Sequence, residues 1–137
     1  MDLKLKGKRA FVTGSTRGIG EAIAKTLAAE GAYVVVHGLD REEATRVMRD
    51  IAANNGKALV ANGDLSTDEG TKHAVDEALS SLSGVDILLN NAGAYKVSTW
   101  EDATSEQWNE LYNINVVSVA RLVSTLWASI PSTKFYC

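Results

Sequence analysis

A chain of 137 residues, 45% hydrophobic and 23% charged, carries enough apolar material for one globular core and is not expected to be disordered. Its formal net charge of −3, from 14 basic and 17 acidic residues, leaves no broad basic face for a phosphate backbone, so no nucleic-acid partner is expected. The single cysteine, Cys137, excludes a disulfide framework and a cysteine-cluster metal site.

At the start, Asp2-Leu3-Lys4-Leu5-Lys6 alternates charge with leucine and lacks the apolar core of a signal peptide. No eighteen apolar residues run together, so no membrane span is expected and a cytoplasmic location follows. Residues 9–13 then form a short apolar run, the first expected strand. A glycine-rich turn follows and opens a helix in which Ile19, Ile23 and Leu27 recur at i, i+4 and i+8. Gly31 stands just past its end, where a left-handed residue is cheapest.

Residues 33–37 are the second strand, and Asp40 with Glu43 has capping-box spacing for the second helix. Gly56 closes that helix and residues 57–61 make the third strand. Ser66 with Glu69 starts the third helix, whose stripe is Val75, Ala78, Leu79 and Leu82. Residues 85–89 are the fourth strand, and Thr104 with Gln107 opens a fourth helix running from about Ser105 to about Ser129.

Continuous rather than alternating strands suit a parallel sheet covered on both faces. The β/α alternation therefore predicts an α/β fold, a doubly wound parallel sheet of Rossmann type in three α/β/α layers, with about four strands and four helices. Its connections are too short for separate domains, so residues 1–137 are read as one domain. The fourth helix is apolar nearly all round, with Leu111, Ile114, Val116, Val117, Val119, Leu122, Val123, Leu126 and Trp127. One sheet face cannot bury all of these, so part of the helix is expected to pack on another subunit or on further chain.

The chemistry concentrates in Thr13-Gly14-Ser15-Thr16-Arg17-Gly18-Ile19-Gly20, between the first strand and the first helix. Gly14 permits a tight turn, Gly18 lets backbone approach a pyrophosphate, and Gly20 lets the helix lie close to the strand. The helix start offers N–H groups to the phosphate. A glycine-rich turn that binds nothing is the competing reading, weakened by the strand before and the helix after. Asp64, after the third strand, is a hydrogen-bond acceptor at a strand end or else serves only as a turn residue before a helix. Asn91, Ala92 and Gly93 line the carboxyl end of the fourth strand, where ligands bind in such sheets, although Asn90 and Asn91 also suit a plain turn. Asn115 lies in the most apolar helix, and a water-holding catalytic role and an ordinary buried hydrogen bond both account for it. His37 and His73 have no cysteine or histidine at ligand spacing and are read as structural.

The spacing G-x-x-x-G-x-G resembles the T-G-x-x-x-G-x-G of the classical short-chain dehydrogenase/reductase family. Asn90-Asn91-Ala92-Gly93 matches that family's N-N-A-G, Asp64-Leu65 its adenine-contacting position, and Asn115 the asparagine of its catalytic tetrad. The resemblance runs from Leu5 to about Leu126 and is similar in character to bacterial-type 3-oxoacyl-carrier-protein reductases. It implies a nicotinamide dinucleotide cofactor, a small carbonyl or alcohol substrate and a catalytic Asn115. NAD binders of this kind place an acid at the end of the second strand, where this chain has Gly38, and NADP binders often carry a basic residue where it has Arg17. NADP(H) is therefore expected over NAD(H), with Arg17 on the 2′-phosphate and Gly38 leaving room, although Leu39 stands where many NADP-dependent relatives add an arginine and Asp40 follows.

The family's serine and its Y-x-x-x-K pair find no match: Lys134 precedes Tyr136 by two, and neither Tyr95 nor Tyr112 has lysine four residues on. Residues 127–137 read as an atypical tail, and the domain reads as truncated after the fourth helix. The chain alone is expected to be inactive as a reductase, either as part of an NADPH-dependent oxidoreductase or as a catalytically silent nucleotide-binding or interaction module that joins full-length relatives. A homo-oligomer through the fourth helix is expected, and the silent module would pair with full-length relatives through the same helix.

Overall fold

The computed structural model describes residues 2–129. The order is β1 (Arg9–Val12), α1 (Gly18–Ala29), β2 (Tyr33–Gly38), α2 (Arg41–Ala53), β3 (Lys57–Asn62), α3 (Asp68–Ser81), β4 (Ile87–Leu89), α4 (Ser105–Tyr112), a π-helical turn (Asn113–Val117) and α5 (Ser118–Ser129). The four strands form one parallel sheet in the order β3-β2-β1-β4, with Phe11 beside Val35 on one side and Leu88 on the other. The switch from β1 to β4 puts the glycine turn and the end of β4 side by side, the place where open α/β sheets bind ligands.

Both faces of the sheet are covered, which is why its strands are apolar between their ends. Ala10, Val12, Val34 and Val36 face α1 and α2 through Ala24, Ala28, Ala44, Val47 and Ile51. Phe11 and Val35 point the other way, onto Ala74, Val75 and Ala78 of α3 and Leu122 and Leu126 of α5. Alternate residues of one strand thus feed two cores, as the period of two dictates.

The structure corrects several sequence expectations. The first helix was expected to bury Ile19, Ile23 and Leu27, yet Ile19 is 75% exposed and the buried line is Gly20, Ala24 and Ala28. Small residues win because α1 lies very close to the turn before it: a Cβ on Gly20 would sit 2.3 Å from the Gly14 carbonyl oxygen. The cap of α3 is Thr67, which accepts from the Gly70 amide, and not Ser66. After α2 it is Asn55 that is left-handed (φ 61°), while Gly56 is glycine because a Cβ would meet Ile51 Cγ2 at 2.6 Å. Strand β4 is shorter than residues 85–89, because Val85 enters the core and Asp86 is taken up by Arg9. The fourth helix is interrupted by the π turn and buries only Ser118, Leu122 and Leu126 beyond it. Asp40 and Thr104 do cap α2 and α4, Thr104 in a reciprocal box with Gln107.

At the bottom of the sheet Arg9 grips Asp86 with two parallel bonds, Nε to Oδ2 at 2.9 Å and Nη2 to Oδ1 at 2.8 Å, and the Arg9 amide also donates to Oδ2. The Arg9 side chain holds the Asp86 carboxyl down at about 2. A carboxyl depressed on folding contributes stability that is complete above its unfolded pKa of about 4 and is lost as the pH falls through 2. Both side chains are more than a quarter exposed, so solvent screening limits the contribution to about 1 kcal/mol. Asp86→Asn is therefore expected to lower urea stability by about 1 kcal/mol at pH 7 and to flatten the acid limb between about pH 4 and 2. An unchanged acid limb would contradict this.

Candidate functional site

The site is built at the carboxyl ends of β1, β2 and β4. Gly14 turns the chain at φ +61° and Gly18 at φ +57°, conformations in which an L side chain is strained. Between them Ser15 is fully buried; its amide donates to the His37 carbonyl (2.8 Å) and its hydroxyl to the Val12 carbonyl (2.7 Å). Thr13, just before the turn, ties it to β4: its hydroxyl accepts from the Asn91 amide and the Ala92 amide, each at 2.9 Å. The Asn91 side chain returns the connection, its Nδ2 donating to the carbonyls of Thr13 and Gly14 at 3.0 Å. Turn and strand end are therefore one hydrogen-bonded unit, and Asn91 is spent on holding it together.

The expected residues divide by what they touch. Gly14, Ser15, Gly20, Asn91 and Ala92 are structural members of that unit, since a Cβ on Gly14 would lie 2.9 Å from Ala92 Cα. Gly18 differs, because a Cβ there would meet nothing within 4 Å. Its space is open. Beside it the first turn of α1 has an extended N-cap, Arg17, with no side-chain cap, whereas α2, α3 and α4 are capped by Asp40, Thr67 and Thr104. The opening amides of α1 are thus the ones left without a side-chain acceptor, and Ile19 lies exposed next to them. The Arg17 carbonyl accepts from the Glu21 amide, while its side chain has no hydrogen-bond or ion-pair partner among the described residues.

Gly38 lies against the turn: a Cβ on it would sit 2.4 Å from Thr16 Cγ2, so the half-buried Thr16 side chain would have to turn aside for a larger residue, and the position carries no acid. Nearby charges are already committed. Asp40 accepts from the Glu42 and Glu43 amides, and Arg41 donates to Asn62 Oδ1 at 2.6 Å and pairs with Glu77. Arg46 reaches from α2 to the Thr16 carbonyl (2.8 Å) and to Glu21 (3.0 Å), and with Lys25 it holds the Glu21 carboxyl at about 2. Asp64 lies exposed with Oδ1 on the Ser66 amide at 2.8 Å, and hydrogen bonds from Ser66 hold its carboxyl below the ordinary range. Leu65 turns its side chain into the core, so its outward groups are main-chain ones, and its carbonyl already accepts from Arg121 at 2.7 Å.

Asn115 falls within the π turn. Its Oδ1 accepts from the Ala94 amide (3.0 Å) while Nδ2 donates to the carbonyls of Ala94 (2.7 Å) and Leu111 (2.9 Å). Gly93 is pressed against it, a Cβ there falling 2.7 Å from Asn115 Oδ1. The side chain, exposed rather than buried, thus holds the segment after β4 against the helix. Residues absent from the sequence-based set are Thr13, His37 and Arg46, of which only Thr13 had a signal, as the first letter of the glycine motif. Pro131, Lys134, Tyr136 and Cys137 lie outside the described residues. Among the described residues no His/Cys/Asp/Glu group could hold a metal ion, and no helix is long and apolar enough to cross a membrane.

A family model described as short chain dehydrogenase matches residues 8–134. The oxidoreductase YvrD of Bacillus subtilis (strain 168) is 41% identical over 122 residues, covering 88% of this chain and 45% of that protein. The 3-oxoacyl-[acyl-carrier-protein] reductase FabG of Escherichia coli (strain K12) is 40% identical over 121 residues, covering 88% and 48%. Among solved structures, the L-sorbose reductase from Gluconobacter frateurii complexed with NADPH and L-sorbose superposes with a TM-score of 0.88 at 34% identity, covering 95% of this chain and 50% of that one. The chain spans about half the length of the curated relatives it matches.

Proposed function

This chain belongs to the short chain dehydrogenase family, and from that premise we propose that its 137 residues form a single domain that holds a nicotinamide dinucleotide, NADP(H) in preference to NAD(H), for an oxidoreductase acting on a carbonyl or alcohol. One observation carries the reading. The first turn of α1 is left without a side-chain cap exactly where Gly18 opens clear space, so its amides are available to a pyrophosphate while the equivalent groups of α2, α3 and α4 are consumed.

Gly14 to Gly20 form the phosphate cradle, Asp64 and the main chain of Leu65 border the adenine, and Asn91 to Gly93 border the cleft beyond it. A bound dinucleotide supplies or takes up hydride. Asn115 acts toward the reacting end by fixing residues 93 and 94 against the π turn. The 137 residues contain no tyrosine with a lysine four residues on, so we assign them cofactor binding and not the proton transfer. Trp108, Tyr112 and Val116 leave an apolar strip exposed along the fourth helix, which supports assembly of like subunits there. The cytoplasm is the location we assign.

The preference for NADP(H) rests on Arg17, unpartnered at the mouth of the cradle, and on the absence of an acid at Gly38. Calorimetric titration with NADPH and NADH is expected to show NADPH bound more tightly. Arg17→Ala is expected to erase about tenfold of that difference, the usual worth of one charge-assisted contact. Equal affinities in the unmodified chain, or discrimination that survives Arg17→Ala, would refute the assignment.

A further inference from the structure

His37, at the end of β2, is 3% exposed and faces the glycine turn. Its Nδ1 lies 3.2 Å from the Gly14 amide nitrogen and its Nε2 lies 3.0 Å from the Gly63 carbonyl oxygen. These partners fix the ring's chemistry, because a backbone amide only donates and a carbonyl only accepts. Nδ1 must be the bare nitrogen and Nε2 must carry the hydrogen. The main chain of the same residue holds the next position, its amide donating to Ser15 Oγ at 2.9 Å and its carbonyl accepting from the Ser15 amide at 2.8 Å. One residue thus connects both Gly14 and Ser15 to β2 and, through Gly63, to the end of β3.

We propose that His37, as the neutral Nε2–H tautomer, is the positioning residue that holds the Gly14 amide and with it the phosphate cradle, so that dinucleotide binding requires the ring to be unprotonated. The proposal rests on the cofactor reading above. Protonating Nδ1 would set an N–H against the Gly14 N–H, and the turn would have to give way. Every group facing the ring is uncharged: Phe11 from β1 (centroids 5.9 Å apart), Gly14 and Ser15 from the turn, and Gly63 after β3. The nearest acid along the chain, Asp40, accepts from the Glu42 and Glu43 amides, and Asp64, next to Gly63, is turned onto the Ser66 amide. Nothing at hand compensates a positive ring, and burial pushes its pKa below the ordinary histidine value, against the smaller opposing pull of the Gly63 bond. The sign is informative, since simple charge attraction would make a cationic His37 tighten an anionic ligand, whereas the clamp makes it loosen.

Two measurements test this. The ring ¹⁵N shifts of the full chain at pH 7 report the tautomer without any ligand. Nε2–H is expected, and Nδ1–H or an imidazolium overturns the proposal. NADH, which lacks the 2′-phosphate that itself titrates near pH 6, is then titrated against unmodified chain, His37→Leu and His37→Gln. Affinity of the unmodified chain is expected to hold through the ordinary histidine range and to fall only at more acidic pH, His37→Leu to bind roughly tenfold more weakly at pH 7, and His37→Gln to recover most of that loss while binding without the acid decline. Binding by His37→Leu as tight as the unmodified chain, or an acid decline that persists in His37→Gln, overturns it. If the unmodified chain does not bind NADH, the cofactor reading fails separately. The clamp is then decided by hydrogen exchange at the Gly14 amide, expected to be slow in the unmodified chain and fast in His37→Leu, with equal rates refuting it.

Discussion

Gly20→Ala is expected to lower unfolding stability by about 3 kcal/mol and to abolish dinucleotide binding. The added carbon would sit 2.3 Å from the Gly14 carbonyl oxygen and 2.4 Å from Asn91 Nδ2. Neither neighbour is free to move. The Gly14 carbonyl already accepts from Asn91 Nδ2, and the Asn91 amide is tied to Thr13. Helix α1 must therefore lift from the sheet or the link between the turn and β4 must break, and each alternative disorders the cradle. Urea unfolding and calorimetric titration of the variant check the two parts. A variant that unfolds within 0.5 kcal/mol of the unmodified chain, roughly the tolerance of ordinary surface substitutions, would show that α1 is not packed as described.

Gly18→Asn is expected to behave in the opposite way, folding normally and losing binding by more than about tenfold. Asparagine tolerates the left-handed conformation that Gly18 adopts at φ +57°, and no protein atom lies within 4 Å of the new Cβ. Its side chain enters only the space assigned to the pyrophosphate. Valine at the same position adds strain of about 1–2 kcal/mol for a β-branched residue at positive φ, and so confuses folding with binding. Undiminished affinity for NADPH in a folded Gly18→Asn chain would refute the cradle. The contrast between positions 18 and 20 separates the two tasks that one glycine motif combines.

Much of this architecture was legible in the sequence because it depends on local signals. Uninterrupted apolar strands, helices between them, and caps at Asp40 and Thr104 specify a parallel α/β sheet with little ambiguity. The glycine spacing located the tight turn between β1 and α1, since the need for positive φ and close approach acts on the residues of the motif themselves. What escaped depends on partners far along the chain. His37 meets Gly14 and Gly63, 23 and 26 residues away, and nothing in its own neighbourhood distinguishes it from a packed core histidine. Arg46 reaches Thr16 from 30 residues away. Gly38 was read by the charge it lacks, whereas its physical constraint is the methyl group of Thr16. Helical period misassigned Ile19, because periodicity ranks residues by size and α1 is held to the sheet by its smallest ones. The π turn at Asn113–Val117, in which the Ser118 amide donates to the Asn113 carbonyl, has no signature in an apolar run.

The most direct test of the central claim is a titration of ¹⁵N-labelled chain with NADPH, following each backbone amide. The account predicts that the largest shifts fall on residues 14–20, with smaller ones at Asp64, Leu65 and residues 91–93, and that the amides of a separate cleft lined by Trp100, Gln107, Trp108 and Leu111, where the two indole rings lie 6.2 Å apart, stay unmoved. Shifts confined to that cleft, or none at residues 14–20 under saturating NADPH, would contradict the assignment of the glycine turn as the dinucleotide site.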